Sequence, residues 1–209
     1  MRLDKGLVIG CILAVLALPL VGAVNDASAQ NLILNGDFES GDLTNWEVFG
    51  QSATSDVTIE TTDNGPSFPG SANAFMENRA EAIGLTLKQA GAIGSATFGP
   101  TYYSFDLKLD QADVGGVLFV EIFAEQDGVG VIGGSGLMGP FWAWEWTQFD
   151  GSFVAPANTD FLTIQFVATT GAAAGTNCVA HVDNVYLSQS GPPVPAESVN
   201  WSDTKAMYR

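Results

Sequence analysis

The chain has 209 residues, 46% apolar and 14% charged, and 23 Asp+Glu against 7 Lys+Arg leave a formal net charge of −16. A body of about 160 residues buries roughly 70% of its unfolded surface, so a core closes without disulfides or metal and a disordered body is excluded. Between Asn31 and Ser188 the only bases are Arg79, Lys88 and Lys108, which excludes a nucleic-acid backbone as partner.

Residues 1–29 read as an export signal. Arg2 and Lys5 open it, an apolar run extends from Gly6 to Val24, and Ala27-Ser28-Ala29 is a small-residue cleavage site. This predicts a secreted or cell-surface protein whose mature chain begins at Gln30. Two rival readings stay open: the apolar run is also just long enough for a membrane anchor, and Val8-Ile9-Gly10-Cys11 resembles a lipobox. Pro19 and the Ala-x-Ala site favour cleavage. With Cys11 removed, Cys178 is the one cysteine left and no internal disulfide can form. A lone Cys among apolar neighbours predicts a buried structural thiol, and His181, three residues on, points to the other face of a strand.

From Asn31 to Ser188 short β-branched and aromatic segments alternate with Gly, Pro, Asn and Asp. The predicted strands are Asn31–Asn35, Asp56–Thr61, Ala74–Glu77, Leu85–Gln89, Tyr102–Leu109, Val117–Glu125, Trp146–Val154, Phe161–Thr169 and Val179–Leu187. About nine antiparallel strands with no long helix predict an all-β fold, a jelly-roll β-sandwich of two antiparallel sheets spanning residues 30–189. Period-two alternation assigns faces. Tyr103, Phe105, Leu107 and Leu109 fall on one side, with Tyr102, Ser104, Asp106 and Lys108 on the other. Leu118, Val120, Ile122 and Ala124 point inward, leaving Phe119, Glu121, Phe123 and Glu125 together outside; Leu162, Ile164, Phe166 and Ala168 likewise face in and Gln165 out. Trp146 is expected in the core.

Residues 190–209 are a spacer and tail. Gly191-Pro192-Pro193-Val194-Pro195 is a stiff polyproline-type segment, and Trp201, Lys205 and Tyr208 beyond it form a candidate handle for a cell-surface or sorting partner.

The opening Asn31-Leu32-Ile33-Leu34-Asn35-Gly36-Asp37-Phe38-Glu39-Ser40-Gly41, followed by Trp46, resembles the start of carbohydrate-binding modules of families four, nine and twenty-two. His181-Val182-Asp183-Asn184-Val185-Tyr186-Leu187 resembles their last strand. Between these ends, Leu87-Lys88-Gln89 precedes Tyr102-Tyr103-Ser104-Phe105, and Trp146-x-x-Phe149 leads to Phe153. The resemblance spans roughly residues 31–188 and implies a galactose-binding-domain-like jelly roll. It also implies a structural calcium between the first and last strands, with Glu39 and Asp183 as side-chain ligands, Asp37 as a candidate third, and backbone carbonyls completing a hard-oxygen shell. Against this stands the reading of Glu39 and Asp183 as ordinary solvated or capping carboxylates. The Asn-Gly-Asp turn aims Phe38 into the core and leaves Glu39 near the sheet edge.

Catalytic constellations are sparse. His181 is the only histidine, and without a Gly-x-Ser-x-Gly elbow it supports no serine triad; one His with one Cys falls short of a zinc site. Glycoside hydrolysis needs only two facing carboxylates, so Glu121 with Glu125, Glu145 or Asp106 stays open as a minor reading. Sugar binding needs aromatic faces beside amides and carboxylates, and Tyr102, Phe119, Glu121, Phe123, Glu125 and Gln165 supply these on the expected concave face. Phe119 and Phe123 are equally readable as packing residues, either under long loops or through a one-residue register shift. Trp142 and Trp144, after the flexible Gly133-Gly134-Ser135-Gly136, are a second candidate group. The leading reading is a secreted, non-catalytic module that binds a poly- or oligosaccharide; the runner-up is a surface or matrix protein whose sandwich is structural or adhesive.

Overall fold

The computed structural model describes residues 30–62, 66 and 71–193; residues 1–29 with Cys11, expected to be an export signal, and Trp201, Lys205 and Tyr208 of the tail lie outside them. The described strands are, in chain order, β1 (Glu47–Phe49), β2 (Ser55–Glu60), β3 (Asn73–Asn78), β4 (Gly84–Ala90), β5 (Gly99–Asp113) and β6 (Val117–Gln126). There follow β7 (Gly130–Gly134), β8 (Met138–Phe141), β9 (Thr147–Ala155), β10 (Phe161–Thr169) and β11 (Asn177–Ser188). They build an all-β sandwich of two antiparallel sheets. The six-stranded sheet runs β1-β4-β10-β6-β7, with β8 also paired to β6, and the five-stranded sheet runs β2-β3-β11-β5-β9.

The alternation expected along the long strands holds. Leu118, Val120, Ile122 and Ala124 of β6 meet Leu162, Ile164, Phe166 and Ala168 of β10 in the buried layer, facing Phe105, Leu107 and Leu109 of β5. Phe38 is fully buried, and its ring lies 5.4 Å from that of Trp46, which in turn lies 6.3 Å from Phe166. Each such side chain contributes about 1.5–3 kcal/mol by leaving water. Cys178 belongs to the same core, where burial pushes its thiol up to about 12, as expected of an inert structural cysteine.

Several expectations are corrected. Asn31–Asn35 is not a strand, because the Asn31 side chain takes the place of a ladder partner: its Nδ2 donates to the Val185 carbonyl at 3.0 Å and its Oδ1 accepts from the Leu187 N–H at 3.0 Å. Trp146 is not in the core. It stands half-buried on the outer side of the five-stranded sheet, its ring 5.8 Å from that of His181. The short β1 and β8 and the glycine-rich β7 were not expected as strands. Backbone approach explains β7: a Cβ on Gly134, at φ +156°, would lie 2.0 Å from the Ile122 carbonyl oxygen of β6. The glycines that look like a loop in sequence are therefore what lets the edge strand pair.

The connection Val114-Gly115-Gly116 also misleads. Three residues with two glycines ordinarily join neighbouring strands of a hairpin, yet β5 pairs with β11 and β9 while β6 pairs with β10, β7 and β8. The link arches from one sheet to the other. Val114 adopts φ +52°, and a Cβ on Gly116 would lie 1.6 Å from the Asn177 carbonyl oxygen.

Candidate functional site

The outer face of the six-stranded sheet brings together five of the residues singled out in the sequence. Phe119, Glu121, Phe123 and Glu125 follow one another along β6, all half-buried, and Gln165 of β10 is the register partner of Glu121. The pairing then extends the face beyond what alternation shows. Gln165 is also opposite Lys88 of β4, and Lys88 opposite Glu47 of β1, which gives a polar row across four strands. Parallel to it runs Phe119, Val167, Thr86 and Phe49, with Phe49 half exposed. At about 4.8 Å per strand, Phe49 and Phe119 bracket a platform roughly 14 Å wide. Beside Phe123 in the register, the fully buried Thr163 carries a hydroxyl with no hydrogen-bond partner. Phe49 and Lys88 join the face only through strand pairing, and β1 is too short to carry a periodic signal; Thr163 shares the outward side that alternation assigns to Gln165.

Tyr102 does not belong to this face. It lies on β5, paired with Ser152 and Ser188, in the five-stranded sheet; the arch at residues 114–116 separates it from Phe119. Trp142 and Trp144 stand on neither sheet face. They are more than half exposed, with ring centroids 6.5 Å apart, on the segment that leaves β8 and crosses to β9. That crossing is pinned from within: Phe141 packs edge-on to Phe149 at 4.6 Å and to Phe105 at 5.8 Å, and the Leu109 N–H donates to the Ala143 carbonyl.

A third group sits where the chain's first loop meets its last strand. Asp183, only 2% exposed, faces Asp106 in the β11–β5 register. Burial is the main cause that pushes its carboxyl up to about 7, and the charges of Asp106, Glu39 and Asp37 add to it; the Asn184 N–H, donating to Oδ1 at 2.7 Å, works the other way. Asp106 is also raised, first by burial, against the Asn184 amide donating to its Oδ2 at 2.8 Å. Glu39 Oε1 accepts the Ala72 N–H at 2.9 Å, and Asp37 Oδ1 accepts the Glu39 N–H at 3.4 Å. Among the described residues no three His, Cys, Asp or Glu side chains close into a metal-holding group. What the loop does create is a buried carboxyl in a field of other carboxylates.

No family model and no curated protein matches the chain. Solved structures do. The enzymatically active domain of tailspike protein 4 of bacteriophage CBA120 matches at 15% identity and TM-score 0.57, over 76% of this chain and 21% of that one. TmCBM61, solved in complex with β-1,4-galactotriose, matches at 15% identity and TM-score 0.53, over 77% of this chain and 99% of that one. The CBM22-1–GH10 modules of the Clostridium thermocellum N-terminal endo-1,4-β-D-xylanase 10B, complexed with xylohexaose, match at 14% identity and TM-score 0.53, over 78% and 29%. The chain thus spans about a fifth of the tailspike, under a third of the xylanase and nearly all of TmCBM61. At these identities the likeness defines a fold: this is the β-sandwich on which carbohydrate-binding modules are built.

Proposed function

We propose that the protein is a secreted, non-catalytic carbohydrate-binding module that holds a poly- or oligosaccharide on the outer face of its six-stranded sheet. The observation that carries this reading is the pair of rows across β1, β4, β10 and β6, one aromatic at both ends and one of carboxylate, ammonium and amide. Aromatic rings take the apolar side of a pyranose and the polar row takes its hydroxyls. Residues two apart on β6 lie about 7 Å from each other on one face, so the site is long enough for several sugar units. Solved neighbours of the same fold carry oligosaccharides, galactotriose in one and xylohexaose in the other.

The acids that the sequence offers for glycoside hydrolysis do not pair as a hydrolase requires. Glu121 and Glu125, four residues apart on one strand, are separated by about 14 Å along it, whereas hydrolytic carboxyl pairs lie roughly 5–9.5 Å apart. Asp106 belongs to the other sheet, and Glu145 is exposed on the crossing segment before β9. Export is supported by the basic start, apolar run and Ala27-Ser28-Ala29 site of residues 1–29. A structural calcium would be held by Glu39 and Asp183 with backbone carbonyls, Asp37 adding charge, and would neutralise the acid cluster that ties the first loop to β11.

A glycan array probed with the wild-type domain and with Phe123→Ala, in calcium throughout, tests the reading. The wild type should retain chains of several sugars in preference to monosaccharides and Phe123→Ala should lose most of that signal. Failure of the wild type to retain any glycan, or equal retention by the variant, overturns it.

A further inference from the structure

The strands that end the two sheets differ in how they meet solvent. In the six-stranded sheet, β1 has three residues and β7 five, among them Gly130, Gly133 and Gly134. In the five-stranded sheet, β2 has six and carries Asp56 and Glu60. Short, glycine-rich or charged edges of this kind resist pairing with another chain. The opposite edge of the five-stranded sheet is built otherwise. The nine residues of β9 pair with β5 without a register shift and include one charge, Asp150, and neither Lys nor Pro. Among the described residues no strand pairs with the second edge of β9, a row of backbone donors and acceptors about 30 Å long.

The side chains along that edge complement their own reversal. Phe149 and Phe153 pack half-buried against the core, two residues either side of Gly151, while Gln148, Asp150, Ser152 and Val154 are exposed on the outer side. Gly151 is the middle residue of β9. A Cβ there would collide with the hydroxyl of Tyr103, its register partner on β5. Glycine within a strand ordinarily marks the close approach of another group or backbone.

We propose that β9 is the surface on which two copies of this chain join, antiparallel about a two-fold axis through Gly151, so that two five-stranded sheets become one of ten strands. Full overlap of the strand sets Phe149 against the partner's Phe153, Gln148 against the partner's Val154 and Asp150 against the partner's Ser152. Each pair recurs across the axis, as an isologous contact requires. Centring the pairing on residue 150 opposes two carboxylates, and centring it on residue 152 sets each carboxylate against the partner's Val154. The second copy is the occupant because it answers each ring with a ring and the lone carboxylate with a hydroxyl. Two copies of net charge −16 repel at long range, but salt screens that field beyond about 8 Å at physiological strength. The axis stands normal to the sheet, so both six-stranded sheets lie on one side of the dimer and their outer faces point the same way.

Sedimentation velocity of the purified protein over a range of concentrations tests this. It should show a monomer–dimer equilibrium whose dimer fraction rises with added sodium chloride. Ser152→Glu, which sets a carboxylate against the partner's Asp150 on both sides of the axis, should weaken the dimer about tenfold. Ser152→Lys should preserve or strengthen it, and combining Ser152→Glu with Asp150→Lys should restore it. These positions are exposed, so the melting temperature of each variant at a concentration where it is monomeric should match that of the wild type. A monomer at every concentration and salt, an assembly larger than a dimer, or a dimer that Ser152→Glu and Ser152→Lys affect alike overturns the proposal.

Discussion

The two outer faces of this sandwich use the same strand geometry to opposite ends. On the five-stranded sheet the polar side chains bond one another: His181 with Asn73 and Asp110, Asp110 with Lys108, Asn184 with Asp106. Among the described residues a cleft beside Glu60 opens on that side. On the six-stranded sheet Phe119, Glu121, Phe123, Glu125 and Gln165 lie half-buried in open rows, and Thr163 keeps a hydroxyl with no partner. A network that satisfies itself is rigid and leaves few groups for a ligand; a platform with unmet aromatic and polar groups suits an extended one.

The sharpest way to break this comparison is to cut β6 on its two sides. Ile122 is fully buried and Phe123 is half-buried next to it, so Ile122→Ala should cost about 2–5 kcal/mol in a urea titration and Phe123→Ala less than about 1 kcal/mol. Comparable losses would make the six-stranded face part of the core. Next in size is calcium. An ion that binds only the folded chain at 100 times its dissociation constant adds about 2.7 kcal/mol, so the melting temperature should rise in calcium and fall in chelator at matched ionic strength, and Glu39→Gln should remove the difference. Identical melting curves for the wild type in both buffers would dismiss the ion.

The proposed glycan platform predicts a smaller effect. Phe123→Ala should weaken polysaccharide retention about tenfold, near 1.4 kcal/mol, while Trp142→Ala on the crossing segment should change it less; the reverse order would move the site to the Trp142/Trp144 pair. The smallest effect is an expected silence. Cys178 lies in the layer between the two faces, its thiol pushed up to about 12 by burial, so mass spectrometry should find it unalkylated by iodoacetamide in the native protein and modified in guanidinium. Labelling of the native protein would mean that the layer between the faces opens.

Alternation made one strand's sides readable in advance. Leu118 to Ala124 and Phe119 to Glu125 separate cleanly because a fifteen-degree error in backbone twist does not change which side of a pleat a residue occupies, about 180° from its neighbour. Gln165 joined Glu121 for the same reason, each strand presenting its polar side outward. Phe49 and Lys88 were not readable as members of that face, since their place depends on β1 pairing with β4 and β4 with β10, strands far apart in sequence. Tyr102 was misplaced because alternation assigns a residue to a side of its own strand and not to a sheet, and the link at residues 114–116 arches from the sheet of Tyr102 to that of Phe119. The Glu60–His181 cleft was invisible for a related reason: Thr58, Phe75, His181 and Asp110 come from four separated segments.

By itself the sequence determined an all-β body, the inward and outward residues of its long strands, an excess of acid that turns away polyanions, and a cysteine among apolar strand residues. These follow from local rules, the two-residue period of a strand and the charge count, and they hold in any arrangement of the strands. Only the tertiary structure decided which strands share a sheet, and with that which outward residues form one surface. Partner choice is set by nonlocal contacts such as the packing of Trp46 against Phe38 and Phe166, and by the direction in which Gly115 and Gly116 send the chain. No period within a single segment encodes either one.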